Sequence, residues 1–157
     1  MMAEIDLSKY ISAKKKSGKP IKMVVNGISM FPVLNDAEVI TVVCNKKYKT
    51  GDVLVYFYDK MGILAHRCLI IDGTDFFCKG DNSYKIEKIK GDQIIGKVQN
   101  VLRNNDEIPL RSPDENFIRM SIEINRLYIE NDFDIIKTNE SELYKRYSKI
   151  YLQGERQ

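Results

Sequence analysis

Short segments rich in β-branched and aromatic residues recur between residues 21 and 102, and they constrain the fold more than any other feature of the chain. Clusters of Gly, Asn and Asp separate these segments, which is typical of strands joined by turns. Strands of this length with turns between them favour a mainly β fold built on a coiled antiparallel sheet. The predicted strands are residues 21–25, 39–43, 53–58, 63–71, 75–78 and 94–102.

From about residue 112 the apolar pattern takes a helical period. The segment Ser112-Pro113-Asp114-Glu115 combines a cap, a proline at the first helical position and the glutamate of a capping box, and it predicts a helix start. A second helix is predicted to begin at Asn139, after a connection over residues 131–138. We expect both helices to pack on the sheet, with a homodimer through them as the alternative. The apolar faces contain Phe117, Met120, Ile124 and Leu127, and then Leu143, Tyr147 and Ile150.

These patterns divide the 157-residue chain into three parts. Residues 1–20 form a basic arm in which Lys14, Lys15 and Lys16 are expected to face solvent. Residues 21–111 form the β core, and residues 112–157 form a helical C-terminal extension. The net charge of +3 is too small to indicate a nucleic-acid partner.

Three segments carry residue types suited to hydrolysis. A serine hydroxyl is a weak nucleophile at neutral pH and needs a base within hydrogen-bond reach. The first segment supplies Ser29, and the second supplies His66, which is the single histidine of the sequence. Imidazole titrates near neutrality, so it can accept the serine proton and return it to a leaving amine. The third segment supplies Asp81, whose carboxylate could orient the ring.

These segments belong to an ordered set of boxes. They read Ser29-Met30-Phe31-Pro32, Gly51-Asp52-Val53-Leu54, His66-Arg67 and Lys79-Gly80-Asp81-Asn82, with a closing Gly96-Lys97-Val98. In this order they resemble the type I signal peptidases, in the archaeal and endoplasmic-reticulum branch where histidine replaces the bacterial lysine. The resemblance covers roughly residues 21–100. It implies a signal-peptidase-like catalytic β core with Ser29 as nucleophile, His66 as general base and Asp81 as acidic partner.

Two features of the implied site stay open. The family has a second acidic position a few residues after the first, and Glu87 stands near that place. Many signal peptidases also carry a serine two residues before the nucleophile, where this chain has Gly27. Without that hydroxyl, the oxyanion would be held by backbone N–H groups, most simply those of Ser29 and Ile28.

Each motif also has a structural interpretation. A serine after a strand often caps a helix or forms a turn, and a Gly-Asp-Asn segment is a common turn. A histidine that alternates with apolar residues along a strand is usually a core residue. A zinc site is a further alternative, since Cys68 lies two residues from His66, but Cys44 and Cys78 lack the compact Cys-x-x-Cys spacing. We expect neither a metal nor a cofactor.

Apolar stretches are short throughout the sequence. A helix that crosses a bilayer needs a run of about 18 apolar residues, and the sequence has no such run. Residues 1–20 also lack the apolar core of a secretory signal. The odd count of three cysteines fits buried thiols in a reducing compartment. We therefore expect a cytoplasmic protein without an integral membrane anchor.

These observations predict a serine endopeptidase that cleaves a peptide or a leader segment of a precursor protein, held as an extended strand beside Ser29. A catalytically inactive peptide-binding module of the same fold is the main alternative. A regulator resembling the self-cleaving repressors is disfavoured, because those proteins use a lysine base and carry a DNA-binding helix-turn-helix. Residues 1–20 are too few for that module.

Overall fold

The computed structural model describes residues 7–44, 47–59 and 62–153, apart from the side chains of Leu7, Ser8 and Tyr10. Its helices are α1 (Leu7–Ser17), α2 (Glu115–Glu130), α3 (Ile135–Asn139) and α4 (Glu142–Tyr151). Its strands are β1 (Ile21–Val24), β2 (Val39–Val43), β3 (Val53–Phe57), β4 (Ile63–Asp72), β5 (Asp75–Lys79), β6 (Glu87–Lys90), β7 (Ile94–Arg103) and β8 (Asp106–Pro109). One 3-10 turn, Gly91–Gln93, joins β6 to β7.

All these strands form one curled sheet in the order β1-β2-β7-β3-β4-β5-β6, with β8 also paired to β7. Every pairing is antiparallel. The structure thus confirms the predicted mainly β fold with a helical C-terminal extension. The paired strands β2 and β7 lie very close at Gly96, where an added Cβ would lie 2.5 Å from the Val43 carbonyl oxygen.

Two apolar clusters lie in the sheet region and a third lies in the helices. The first joins residues of β1, β2, β3 and β7 to Met30 and Leu34 of the β1–β2 connection. The second joins β3 to β6, with Leu54, Tyr56 and Cys78 among its buried members. Burial of apolar area at about 25 cal/mol per Å² makes these clusters the main stabilising contribution to the fold.

The two strands absent from the prediction are the short β6 and β8. Their sequences, Glu-Lys-Ile-Lys and Asp-Glu-Ile-Pro, are mostly charged, and β8 ends in a proline. Such sequences have a weak strand propensity of their own. They form strands here because each pairs with a longer neighbour, β6 with β5 and β8 with β7.

The predicted basic arm over residues 1–20 contains a helix in the part of it that the structure describes, although Lys15 and Lys16 are exposed as expected. Residues 7–17 form α1, and Ile11 is only 2% exposed because it packs in the first apolar cluster. The Nζ of Lys15 also donates a hydrogen bond of 2.9 Å to the Ile94 carbonyl oxygen. The first six residues of the predicted arm lie outside the described residues.

The helical extension differs from its prediction in where its helices start. Asp114, rather than Ser112, caps α2 and accepts a hydrogen bond of 2.7 Å from the Phe117 N–H. The predicted connection contains α3, and Ser141 caps α4 through the Tyr144 N–H. A cap side chain accepts a hydrogen bond from an N–H group that the first helical turn leaves free. Several Asp and Ser residues lie near each helix start, and the sequence alone does not show which of them is the cap.

The extension packs on the sheet, as expected. The Arg67 guanidinium on β4 lies 5.5 Å from the centre of the Phe117 ring of α2. The Lys79 ammonium at the end of β5 lies 5.5 Å from the centre of the Tyr147 ring of α4. Among the described residues, no helix has both the length and the apolar character needed to span a membrane.

Candidate active site

Ser29 lies in the connection between β1 and β2, on a loop with firm anchors. Its neighbour Met30 and the nearby Leu34 are buried in the first apolar cluster, and the Leu34 N–H donates to the Met30 carbonyl oxygen. The Gly27 N–H donates a hydrogen bond of 2.7 Å to the Asp36 carboxylate. Ser29 itself is half-buried. The loop thus presents the hydroxyl at a fixed place while leaving it accessible.

His66 lies on β4, and its ring faces this hydroxyl. The residue is directly opposite Leu54 of β3 and is only 7% exposed. Its Nε2 lies 3.1 Å from the Ser29 Oγ, within hydrogen-bond distance. The structure therefore brings the predicted nucleophile and the predicted base together across 37 residues of sequence.

The acid beside the imidazole is Glu87. Its Oε1 lies 2.5 Å from His66 Nδ1, and both side chains are 9% exposed. Glu87 is on β6, opposite Cys78 of β5, and β5 lies between β4 and β6. Neighbouring strands lie about 4.8 Å apart, so β4 and β6 are separated by two such spacings. The side chains of His66 and Glu87 cross this distance over the small side chain of Cys78 on β5.

These contacts define the proton positions of the ring. A carboxylate only accepts hydrogen bonds, so the Nδ1 facing Glu87 carries the proton. The Nε2 then has a free lone pair that accepts the hydrogen bond from the Ser29 hydroxyl. This tautomer is the one that a general base needs.

Tyr56 of β3 is a further member of the site and was absent from the prediction. Its buried hydroxyl donates a hydrogen bond of 2.9 Å to Glu87 Oε1 and lies 3.3 Å from His66 Nδ1. Burial, reinforced by the negative charge of Glu87, raises the pKa of the Tyr56 phenol above its usual value. The phenol therefore stays protonated and holds the carboxylate in place. Sequence alternation places Tyr56 on the same face as Leu54, but identifies no partner for it.

The structure pairs Asp81, the predicted acidic partner of His66, with Arg67 instead. Both Asp81 oxygens face Arg67, at 3.2 Å from its Nε and 2.7 Å from its Nη2. Neighbouring residues of a strand point to opposite faces, so Arg67 points away from the face of His66. Asp81 follows Lys79, which pairs with Arg67 across the sheet, and it joins that opposite face. Asp81 and Arg67 are 1% and 3% exposed and form a buried ion pair.

The segment around Asp81 nevertheless contacts the nucleophile loop through its backbone. The Asn82 N–H donates a hydrogen bond of 2.8 Å to the Ser29 carbonyl oxygen. The glycine at position 80 is required for this approach, because an added Cβ would lie 2.6 Å from the same oxygen. The predicted Lys-Gly-Asp-Asn box thus supports the site through the Asn82 N–H and the close approach of Gly80, and not through the Asp81 carboxylate.

The three cysteines lie outside the hydrogen-bonded path of the site, and their thiols are free. Cys44 lies 3.0 Å from the Ile95 carbonyl oxygen, and Cys68 and Cys78 face each other as buried thiols across β4 and β5. Within the described ranges, no three His, Cys, Asp or Glu side chains form a group that could hold a metal ion.

Comparisons of the chain with protein-family models, with curated proteins and with solved structures found no match. The chemistry of the site is therefore derived from its own geometry.

Proposed function

We propose that this protein is a serine endopeptidase in which Ser29 is the nucleophile, His66 the general base and Glu87 the acid that orients the base. One observation carries the proposal. A continuous hydrogen-bonded path runs from the Ser29 hydroxyl through both ring nitrogens of His66 to the Glu87 carboxylate, with steps of 3.1 and 2.5 Å. Such a path is the signature of an activated serine nucleophile, whatever the fold that carries it.

In the proposed reaction, the Ser29 Oγ attacks the carbonyl carbon of the scissile peptide bond while its proton passes to His66 Nε2. The resulting imidazolium is stabilised by Glu87 and gives the proton to the leaving amine as the C–N bond breaks. Water then attacks the acyl-enzyme, again with His66 taking a proton, and releases the new carboxyl terminus.

Backbone groups beside the nucleophile are suited to hold the oxyanion. In the described part of the chain, the N–H groups of Ile28 and Ser29 donate to no protein acceptor. Removal of a single oxyanion donor in another hydrolase costs about 3 to 4 kcal/mol of transition-state stabilisation. Gly27 adds no side-chain donor, so the main chain carries this role.

The substrate is an extended peptide that lies along β1. This strand pairs with β2 on one side, and no strand of the described residues pairs with its other side. Val24 and Ile28 are 59% and 65% exposed beside this edge and offer apolar contact to substrate side chains. A peptide added at the edge gains main-chain hydrogen bonds and runs toward Ser29.

The natural substrate proposed here is a precursor protein or leader peptide in the cytoplasm. Its support is the set of free thiols, because Cys44, Cys68 and Cys78 form no disulfide among the described residues. Reduced cysteines are typical of a reducing compartment. The resemblance to signal peptidases further favours small residues next to the cut.

A digest of a defined peptide library, read by mass spectrometry, tests the proposal. Wild-type protein is expected to produce a consistent set of cut peptides, and Ser29→Ala and His66→Ala are expected to produce none. Ser112→Ala is the matched control, since it removes an exposed serine hydroxyl outside the site and should cut like the wild type. Identical products from wild type and Ser29→Ala would end the peptidase proposal.

Peptide binding and acylation of Ser29, measured beside the digest, distinguish the peptidase from an inactive peptide-binding module. That alternative predicts peptides that bind without being cut, and a Ser29 hydroxyl that an activated ester does not acylate.

A further inference from the structure

The loop at residues 80–84 contacts the nucleophile loop at three consecutive residues. The Asn82 N–H donates to the Ser29 carbonyl oxygen at 2.8 Å, and the Asn82 side-chain amide donates to the Ile28 carbonyl oxygen at 3.1 Å. The Asp81 N–H completes the set with a contact of 3.4 Å to the Met30 sulfur. These contacts tie the backbone on both sides of the Ser29 hydroxyl to one short segment.

The C-terminal helices hold the other side of the same loop. The Tyr147 hydroxyl of α4 donates a hydrogen bond of 2.6 Å to the Asp81 carbonyl oxygen. Both residues are 1% exposed, so water does not compete for this bond. At the far end of the loop, the Tyr84 hydroxyl donates to Asn139 at 2.6 Å and its ring stacks on Tyr144 at 5.6 Å between centres.

We propose that Tyr147 is a positioning residue for the Ser29 nucleophile, and that the helical extension serves the active site through it. The path runs from the Tyr147 hydroxyl to the Asp81 carbonyl oxygen, across the peptide bond to the Asn82 N–H, and from there to the Ser29 carbonyl oxygen. This inference rests on the proposed peptidase function. Its physical basis is the narrow tolerance of nucleophilic attack, in which a misplacement of about 1 Å can cost about a hundredfold in rate.

The hydroxyl of Tyr147 can be separated from its ring. The ring packs in the third apolar cluster and against Phe117, at 5.6 Å between centres, and these contacts hold the helices together. Tyr147→Phe keeps the ring and removes the hydrogen bond to Asp81. Tyr151→Phe is the matched control on the same helix, because its hydroxyl bonds Asn116 and Asp114 inside the extension.

Two measurements on the full chain test the inference. The first is hydrogen exchange of the Asn82 amide, resolved by NMR and compared with the amides of β3. The second is acetylation of Ser29 by 4-nitrophenyl acetate, in which the Ser29 Oγ bonds to the acetyl carbon, nitrophenolate leaves and the hydroxyl proton passes to His66. Dependence of the rate on ester concentration separates the maximal rate from the half-saturating concentration. Ser29→Ala defines the background.

In Tyr147→Phe we expect Asn82 to exchange about tenfold faster than in the wild type. We also expect the maximal acetylation rate to fall about tenfold, with the half-saturating concentration unchanged. Tyr151→Phe should match the wild type in both measurements. If Tyr147→Phe does not fold, Asn82→Ala removes the side-chain hydrogen bond that the same loop makes to the Ile28 carbonyl oxygen, and the same loss of maximal rate is expected.

Unchanged Asn82 exchange in Tyr147→Phe would overturn the inference, as would faster exchange with an unchanged maximal rate. A wild-type protein whose acetylation does not depend on Ser29 would instead remove the proposed function. Even then, the exchange of Asn82 decides whether Tyr147 holds the nucleophile loop, so the two failures are distinguishable.

Discussion

At the scale of single residues, the site shows why the type of an acid does not reveal its role. Asp81 and Glu87 are both buried carboxylates within reach of a cation or a ring. Asp81 faces Arg67 and Glu87 faces His66. His66 and Arg67 are neighbours on β4, so their side chains point to opposite sides of the sheet. The same difference predicts that removing the Glu87 charge affects the reaction rate, whereas removing the Asp81 charge affects stability.

Glu87→Gln is expected to lower the maximal rate of Ser29 acetylation by about 10²- to 10⁴-fold, because the imidazolium loses its stabilising charge and its tautomer is no longer held. Asp81→Asn is expected to cost about 3 kcal/mol in the free energy of unfolding, because it leaves Arg67 buried without a counter-charge. Acetylation kinetics and urea unfolding of both variants measure this. Normal acetylation by Glu87→Gln, with inactive but stable Asp81→Asn, would restore Asp81 as the catalytic acid.

Tyr56→Phe tests the hydroxyl behind Glu87. The ring stays in the second apolar cluster, so the free energy of unfolding should fall by only about 1 kcal/mol. The maximal acetylation rate should fall about tenfold, because the carboxylate loses the donor that holds it against the ring. Tyr58→Phe, whose ring lies 6.2 Å from that of Tyr56, is the control and should keep the wild-type rate. Equal rates for the two variants would rule out a role for the Tyr56 hydroxyl.

At the scale of elements, the turn between β7 and β8 shows how a weak strand is held. Arg103 and Asp106 pair across a two-residue turn formed by Asn104 and Asn105. Both turn residues have positive φ, 50° and 66°, as a type I′ hairpin requires. Asparagine tolerates this conformation better than other residues with a side chain, so the turn directs β8 back along β7.

Asn105→Val is therefore expected to destabilise the protein by about 1 to 2 kcal/mol, because a β-branched side chain is strained at positive φ. Asn105→Gly is expected to be neutral or stabilising by up to about 0.5 kcal/mol, since glycine reaches this region without strain. Thermal unfolding of the two variants compares them at one position. Equal stabilities would show that the turn does not depend on its backbone conformation.

At the scale of the whole molecule, Lys79 is a buried charge at the contact between the sheet and the helical extension. Its ammonium is buried between the end of β5 and the Tyr147 ring, and it donates a hydrogen bond of 3.0 Å to the Gly80 carbonyl oxygen. Burial lowers the pKa of Lys79 from 10.5 to about 8, although the charges of Asp81 and Glu87 oppose the shift.

This shift predicts a pH dependence of stability. Between about pH 8 and 10.5 the unfolded chain binds the Lys79 proton more tightly than the folded protein does. The contribution of Lys79 to the free energy of unfolding therefore rises as pH increases through this window, by on the order of 3 kcal/mol. Urea unfolding of wild type and Lys79→Met measures it, and the wild type should gain on the variant with pH. Lys85→Met, at an exposed lysine, is the control. Parallel curves for wild type and Lys79→Met would contradict the prediction.

The sequence by itself determined the elements that depend on local pattern. Segments rich in β-branched and aromatic residues specified β1 to β5 and β7, and helical periodicity specified α2 and α4. The residue types needed for a serine and histidine pair were also visible in the sequence. Short charged strands such as β6 were not, because their backbone is ordered by a neighbouring strand rather than by their own side chains.

The tertiary structure alone decided which side chains meet. Sheet order places β5 between His66 and Glu87, and register places Asp81 beside Arg67, so the acid of the site follows from strand pairing. The burial of Ile11 and the contact of Tyr147 with Asp81 likewise join segments far apart in the chain. A local pattern reports the face on which a residue lies. Its partner on that face depends on register and packing, which are properties of the folded molecule.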